Sequence, residues 1–283
     1  MAATMNSPKT TSEVVSASHP LGNDLRGRFA TIGTVILTIA TLTAAPQPPA
    51  YRETLAGTTV QFDMVLVPQG TVGAQTVKPF YVGKTEVTWD MYDVFALGLD
   101  TPAARPAGTD AAARPSNPYG APDYGWGHAG FPVISVTRQA AEAYTKWLSQ
   151  KTGRVYRLPT EWEWQHAATL AAAGDTLSED AREAVAWHVG NAAAHTHAVG
   201  TKTPDRLGLF DLFGNAAEWV MTDGPPLVTR GGSFRSVAMD VGPAARAVQV
   251  EYWNERDPQL PKSRWWLSDG PFVGFRLVSE VSR

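Results

Sequence analysis

The stretch Gly208-Leu209-Phe210-Asp211-Leu212-Phe213-Gly214-Asn215-Ala216-Ala217-Glu218-Trp219-Val220, followed by Arg230-Gly231-Gly232-Ser233-Phe234, decides how this chain is read. Its density of acids, glycines and bulky apolar residues suits neither a plain helix nor a plain strand, and points to a built site. Asp211 and Glu218 lie seven positions apart with Gly214 between them. A chain that folds back at the glycine brings both carboxylates and the intervening carbonyls towards one point. Calcium takes six to eight such oxygens at roughly 2.3–2.6 Å. The same spacing also suits a plainer arrangement, in which Asp211 and Asn215 cap turns and Glu218 faces water.

Three further blocks stand in order around this one: Arg157-Leu158-Pro159-Thr160-Glu161-Trp162-Glu163-Trp164 before it, and Arg230 to Phe234 and Gly274-Phe275-Arg276-Leu277 after it. Together the four resemble the formylglycine-generating enzyme family, the sulfatase-modifying factors, over roughly Phe62 to Val278. The resemblance implies an α+β chain, a variant of the C-type lectin fold with short antiparallel sheets, few helices and long loops. It also implies calcium held by the side chains of Asp211 and Glu218 and the carbonyls of Gly214 and Ala216. The short spacer after Asn191 leaves no inserted loop for the family's second calcium site.

The chain of 283 residues has no cysteine. That excludes disulfides, thiolate metal sites, a thiol nucleophile and a lipoprotein anchor. Enzymes of the family oxidise a substrate cysteine with two cysteines that bind copper(I), and Ser236 stands at the first of those positions. Soft thiolates select copper(I), and a serine hydroxyl does not replace them. No copper is expected. A tryptophan that the enzymes carry just before the calcium-binding glutamate is replaced by Ala217, so the cleft is remodelled. Ser233, Ser236 and Arg246 remain as candidate cleft residues for a peptide or small-molecule ligand, with Glu251 and Trp253 as further candidates and Tyr252 between them. No catalytic residue is identified.

These features imply a calcium-stabilised binding or accessory module. The resemblance also implies an alternative, an oxidase of different chemistry on the same fold, of the kind that matures siderophore chromophores. A third reading, variable ligand display, would use the loop from Arg235 to Trp266. Formal charge −3 and the absence of a basic run argue against nucleic acid as the partner.

The first 50 residues form a separate region ahead of a domain over residues 51–283. Met1 to Asn23 reads as disordered. Arg26 and Arg28 then precede an uncharged apolar run, Phe29 to Ala45, that ends in small residues and leads into Pro46-Gln47-Pro48-Pro49. Basic, apolar and small in that order is a secretory signal, with cleavage near Ala44 to Ala50. An uncleaved anchor is the rival, because about 17 residues can just span a membrane. Both readings place the domain outside the cytoplasm, periplasmic or secreted, with no other membrane contact.

Local patterns predict the elements. Phe62 to Gly70 and Lys78 to Val82 read as a strand pair. Thr88 and Thr137 are positioned to cap helices over 89–97 and up to Gln150, the second stopped by Gly153. Thr160 with Glu163 forms a capping-box pattern, which explains Glu161 and Glu163 more simply than an acid/base pair does. Val273 to Val278 reads as one closing strand. On a strand His195 and His197 would face the same side and could ligate a transition metal, but no third ligand is visible. Ten tryptophans suit either core packing or a stacking surface.

Overall fold

The computed structural model describes residues 50–100, 114–116, 118 and 120–281. The signal or anchor and its linker up to Pro49 lie outside the described residues, as does much of the Pro/Gly/Ala-rich stretch after Asp100. Among the described residues no helix is long and apolar enough to cross a membrane.

Helices α1 (Trp89–Leu97), α2 (Arg138–Thr152) and α3 (Glu161–Ala172) each begin one residue after a threonine in extended conformation. Thr137 and Thr160 accept a backbone N–H of the first turn, whereas Thr88 makes no such bond. At α3 the capping box is complete: Glu163 accepts the Thr160 N–H at 2.9 Å and the Thr160 hydroxyl accepts the Glu163 N–H at 3.2 Å. Gly98 and Gly153 close α1 and α2 in the left-handed conformation, which costs a glycine nothing sterically. A short α4 (Glu179–Val185) follows.

Two main sheets share the remaining chain. The five-stranded sheet is antiparallel, in the order β1 (Ala50–Thr54), β2 (Gln61–Val67), β5 (Phe80–Gly83), β11 (Val278–Glu280) and β6 (Tyr156–Arg157). A small hairpin of β3 (Gly70–Val72) and β4 (Gln75–Val77) interrupts the β2–β5 pair. The second sheet runs β10 (Val273–Gly274), β7 (Ala217–Val220), β8 (Val228–Arg230) and β9 (Arg246–Val248), with β10 parallel to β7 and the rest antiparallel.

The closing strand expected over Val273 to Val278 is therefore two strands in two sheets. Phe275, Arg276 and Leu277 carry the chain between them and are all buried. Phe275 joins a core built on α1 and α2, where the ring centroids of Tyr92 and Tyr144 lie 5.6 Å apart and those of Tyr144 and Phe275 lie 5.5 Å apart. Such pairs contribute about 0.5–1.5 kcal/mol each beyond area burial. A second core packs Trp164, Ala167 and Ala168 of α3 against Leu209, Leu212 and Phe213 and against β2, β5 and β11. Trp89, Trp164, Trp219, Trp253, Trp265 and Trp266 are all buried, so packing accounts for most of the tryptophans.

Candidate ligand cleft and the charge centre behind it

The decisive stretch folds back at Gly214, as its glycine requires. Asp211, Gly214 and Asn215 all have positive φ, at 55°, 79° and 52°. Asn215 then fixes the turn from both ends. Its amide donates to Glu86 Oε2 at 2.8 Å and to the His197 carbonyl at 3.2 Å, while its Oδ1 accepts the His197 N–H at 2.9 Å. Glu86 also accepts the Ala216 N–H at 2.9 Å. Burial pushes the Glu86 carboxyl well above the usual carboxylate range, and the nearby Asp211 adds to it.

Period-2 alternation along β7 sends Ala217 and Glu218 to opposite faces. Ala217 lines an open cleft, and Glu218 enters the interior, where it is 0% exposed. There its Oε1 accepts from Arg276 Nε at 2.8 Å and lies 2.7 Å from Nη2, and its Oε2 accepts from Trp164 Nε1 at 2.8 Å. Arg276, also 0% exposed, donates two further N–H groups, one each to the carbonyls of Gly83 and Phe210 at 2.8 Å. Burial pushes Glu218 up, and the guanidinium and indole pull against it. The reading in which Glu218 faces water is corrected, because the side chain is buried and meets the guanidinium of Arg276 there.

Asp211 makes no hydrogen bond to that pair, although it feels the charge of both members. Its Oδ2 accepts the Gly200 N–H at 2.7 Å, and its Oδ1 is buried without a partner. Burial raises its pKa to about 6 against the pull of the Gly200 N–H and Arg276. Among the described residues no three His, Asp or Glu side chains are placed to share a metal ion. With three of the roughly four lone-pair sites on Glu218 taken and a permanent cation against it, the set Asp211, Gly214, Ala216 and Glu218 does not fit a calcium cage as arranged.

The cleft in front of β7 has a volume of about 600 Å³ and is bounded by Ser233, Arg235, Ser236, Arg246, Tyr252 and Phe272. Backbone bonds from Gly214 N–H to the Gly231 carbonyl (3.1 Å) and from Phe234 N–H to the Asn215 carbonyl (2.9 Å) fasten its floor to the turn. Ser233 and Ser236 form a tight turn: Ser236 Oγ accepts the Ser233 N–H at 3.0 Å, and Ser233 Oγ accepts the Arg235 N–H at 3.2 Å. The hydroxyl at the expected copper-cysteine position thus serves the local backbone.

Arg246 is 41% exposed on its side chain and donates Nε to Glu161 Oε1 at 2.7 Å; the same oxygen accepts Arg230 Nη1 at 3.0 Å. Glu161 therefore does more than favour a helix N-terminus, since it anchors two strands of the cleft to α3. No local pattern points to that link, which spans 85 positions. Arg235 has no carboxylate partner among the described residues; its guanidinium lies 5.4 Å from the ring centres of both Phe234 and Phe272.

Two candidate cleft residues are not in the cleft. Trp253 is 3% exposed and packs in the core against Trp219 and Phe272, with centroids 5.8 and 5.1 Å away. Glu251 lines a neighbouring pocket, and it is Tyr252, 58% exposed, that reaches the cleft. All three share one turn of 3-10 helix (Glu251–Asn254), whose tight winding points successive side chains in different directions. His195 and His197 sit in a loop instead of a strand. His195 Nδ1 bonds the Thr196 carbonyl at 2.7 Å, and His197 Nε2 bonds the Ala192 carbonyl at 2.9 Å beneath a stacked Trp187.

Residues 53–281 match the profile described as the sulfatase-modifying factor enzyme 1-like domain. Among solved structures, Treponema denticola variable protein 1 superposes with a TM-score of 0.57 at 22% identity, covering 83% of this chain and 100% of that one. PvdO from Pseudomonas aeruginosa superposes at 0.52 with 22% identity, covering 77% and 94%. CarF superposes at 0.53 with 20% identity, covering 78% and 99%. At these identities the likeness is one of fold. Among curated proteins, the serine/threonine-protein kinase pkn1 of Chlamydia pneumoniae is 35% identical over 95 residues, 33% of this chain and 14% of that kinase.

Proposed function

The chain belongs to the sulfatase-modifying factor enzyme 1-like family, and from that premise we propose that it is an exported ligand-binding or accessory module that has left the copper chemistry of the family. The observation that carries this reading is chemical. The chain has no cysteine, and the hydroxyl of Ser236 accepts a backbone hydrogen bond within its own turn. Copper(I) needs soft sulfur ligands, and no residue of this chain supplies a thiolate.

What the cleft offers is recognition. Exposed Tyr252, the Arg235 guanidinium and the Ser233–Ser236 turn surround an open volume suited to part of a peptide or a small molecule. The buried Glu218–Arg276 pair lies on the other face of the strand that backs it. The basic, apolar and small-residue order over Arg26 to Ala45 supports export.

The test is to incubate the purified protein with copper(I), oxygen and a cysteine-containing sulfatase peptide and to follow aldehyde formation by mass spectrometry. No aldehyde above a protein-free control is expected. Turnover would overturn the reading. For export, the mature N-terminus should fall near Ala45 to Tyr51, and intact Met1 on protein from the cytosolic fraction would contradict it.

A further inference from the structure

The cleft has an open sheet edge on one side. In the order β10-β7-β8-β9 the last strand pairs its backbone, among the described residues, with β8 alone, and all three of its residues are exposed. The ladder fixes which backbone groups point away. Gln249 N–H donates to the Leu227 carbonyl at 2.9 Å, so Gln249 and Leu227 form a hydrogen-bonded pair. Pairs alternate along an antiparallel ladder. Thr229 and Ala247 are then bonded, whereas Val228 with Val248 and Arg230 with Arg246 are not.

Arg246 and Val248 therefore turn their N–H and C=O groups outward, where they meet no partner among the described residues. Such an edge takes an added strand. Its surroundings select the strand's chemistry. Arg246 is already satisfied by Glu161, but Arg235 in the adjoining cleft has no carboxylate. Val248 on the edge strand, Val250 just after it and Tyr252 in the 3-10 helix that follows are all exposed apolar side chains.

We propose that β9 recruits an extended acidic-apolar peptide as a fifth strand of this sheet, its backbone paired with Arg246 and Val248 and an acidic side chain on Arg235. This rests on the binding-module reading and names its ligand class. Arg246 at the edge and the strand's length of three residues limit pairing with arbitrary chains, which favours a ligand that also fills the cleft.

The probe is a fluorescein-labelled octapeptide alternating valine and aspartate, with an analogue N-methylated at every residue so that neither edge can pair. Fluorescence anisotropy is expected to show binding of the first and at least a tenfold loss for the second. Val248→Pro removes one outward N–H without touching the ladder to β8 and should also cost at least tenfold, with the far-UV circular dichroism retained. Arg235→Gln should weaken binding at least threefold, and less so in high salt. The N-methylated peptide needs no variant, so the test survives a misfolded Val248→Pro. Equal binding of the two peptides, or an edge-to-edge dimer by sedimentation that excludes the peptide, overturns the edge pairing and leaves the binding-module reading standing. Aldehyde formation with copper(I) overturns that reading instead. No binding of the octapeptide at all overturns this proposal.

Discussion

Glu218 and Arg276 form an ion pair buried from bulk solvent, with both side chains at 0% relative exposure and 2.7 Å between Oε1 and Nη2. The pair joins the two sheets, because Glu218 lies on β7 and Arg276 on the connection from β10 to β11. A buried pair is not by itself a large net gain, since desolvation offsets much of the attraction. Removing one member is another matter. Arg276→Met strands a carboxylate held by Trp164 alone and frees the carbonyls of Gly83 and Phe210. Urea unfolding should show a loss of about 3–5 kcal/mol. A loss under about 1 kcal/mol would mean that the pair is not the joint described here.

Asp211 gives the test of calcium. Its folded pKa of about 6 lies above the ordinary value of 3.8, because burial disfavours its charge. For an acid raised in this way the folded state holds the proton more tightly. Stability therefore falls as pH rises from the unfolded value towards about 6, and the deficit is constant above it. Asp211→Asn keeps an acceptor for the Gly200 N–H and removes the charge. It should stabilise the protein at pH 8, by up to about 3 kcal/mol, and change little at pH 4. Excess chelator should leave the wild-type melting temperature unmoved. A bound calcium ion would reverse both outcomes, with Asp211→Asn destabilising and chelation lowering the melt.

Gly214 sits at φ 79°, and a Cβ built there would lie 2.1 Å from the Trp187 carbonyl oxygen. Neither the left-handed backbone nor the steric contact admits alanine. Gly214→Ala should cost about 4 kcal/mol or more, seen as loss of soluble protein or a much lower urea midpoint. A nearly unchanged midpoint would show that the turn can relax away from Trp187.

The elements legible in the sequence are those written by near neighbours. Thr160 and Glu163 are three positions apart, and their reciprocal bonds form as the pattern predicts. Gly153 ends α2 and Gly214 reverses the chain. The four blocks also disclosed the family and hence the α+β architecture. What stayed hidden depends on distant partners. Nothing near Glu218 in the sequence shows that Arg276, 58 positions away, is its ion-pair partner. Trp253 and Tyr252 are neighbours in sequence and belong to core and cleft respectively, because a 3-10 turn lacks a periodicity long enough to read. The run Val273 to Val278 is apolar apart from Arg276, and nothing local shows that it changes sheets midway.

His128 provides a pH dependence in a part of the chain that the motifs do not touch. Its Nε2 meets Asp93 of α1 at 2.8 Å, its Nδ1 meets Asp123 at 2.9 Å, and its ring stacks on Trp89 at 5.0 Å. Asp90 of α1 faces the same loop, accepting the Gly130 N–H at 2.6 Å. Ionised carboxylates only accept, so both contacts form hydrogen bonds only when the imidazole carries two protons. Partial burial lowers its pKa, the bonds to Asp93 and Asp123 raise it further, and the net shift is upward. The stabilisation is thus complete below the unfolded value near 6.5 and is lost as pH rises through the higher folded value. The side chain is 45% exposed, and solvent screening holds the effect to about 1 kcal/mol or less. The stability difference between wild type and His128→Ala, from urea unfolding, should shrink between pH 6 and pH 9. The His128 ring resonance should titrate with a midpoint above 6.5, and a midpoint below that value would mean that the two aspartates do not hold the imidazolium.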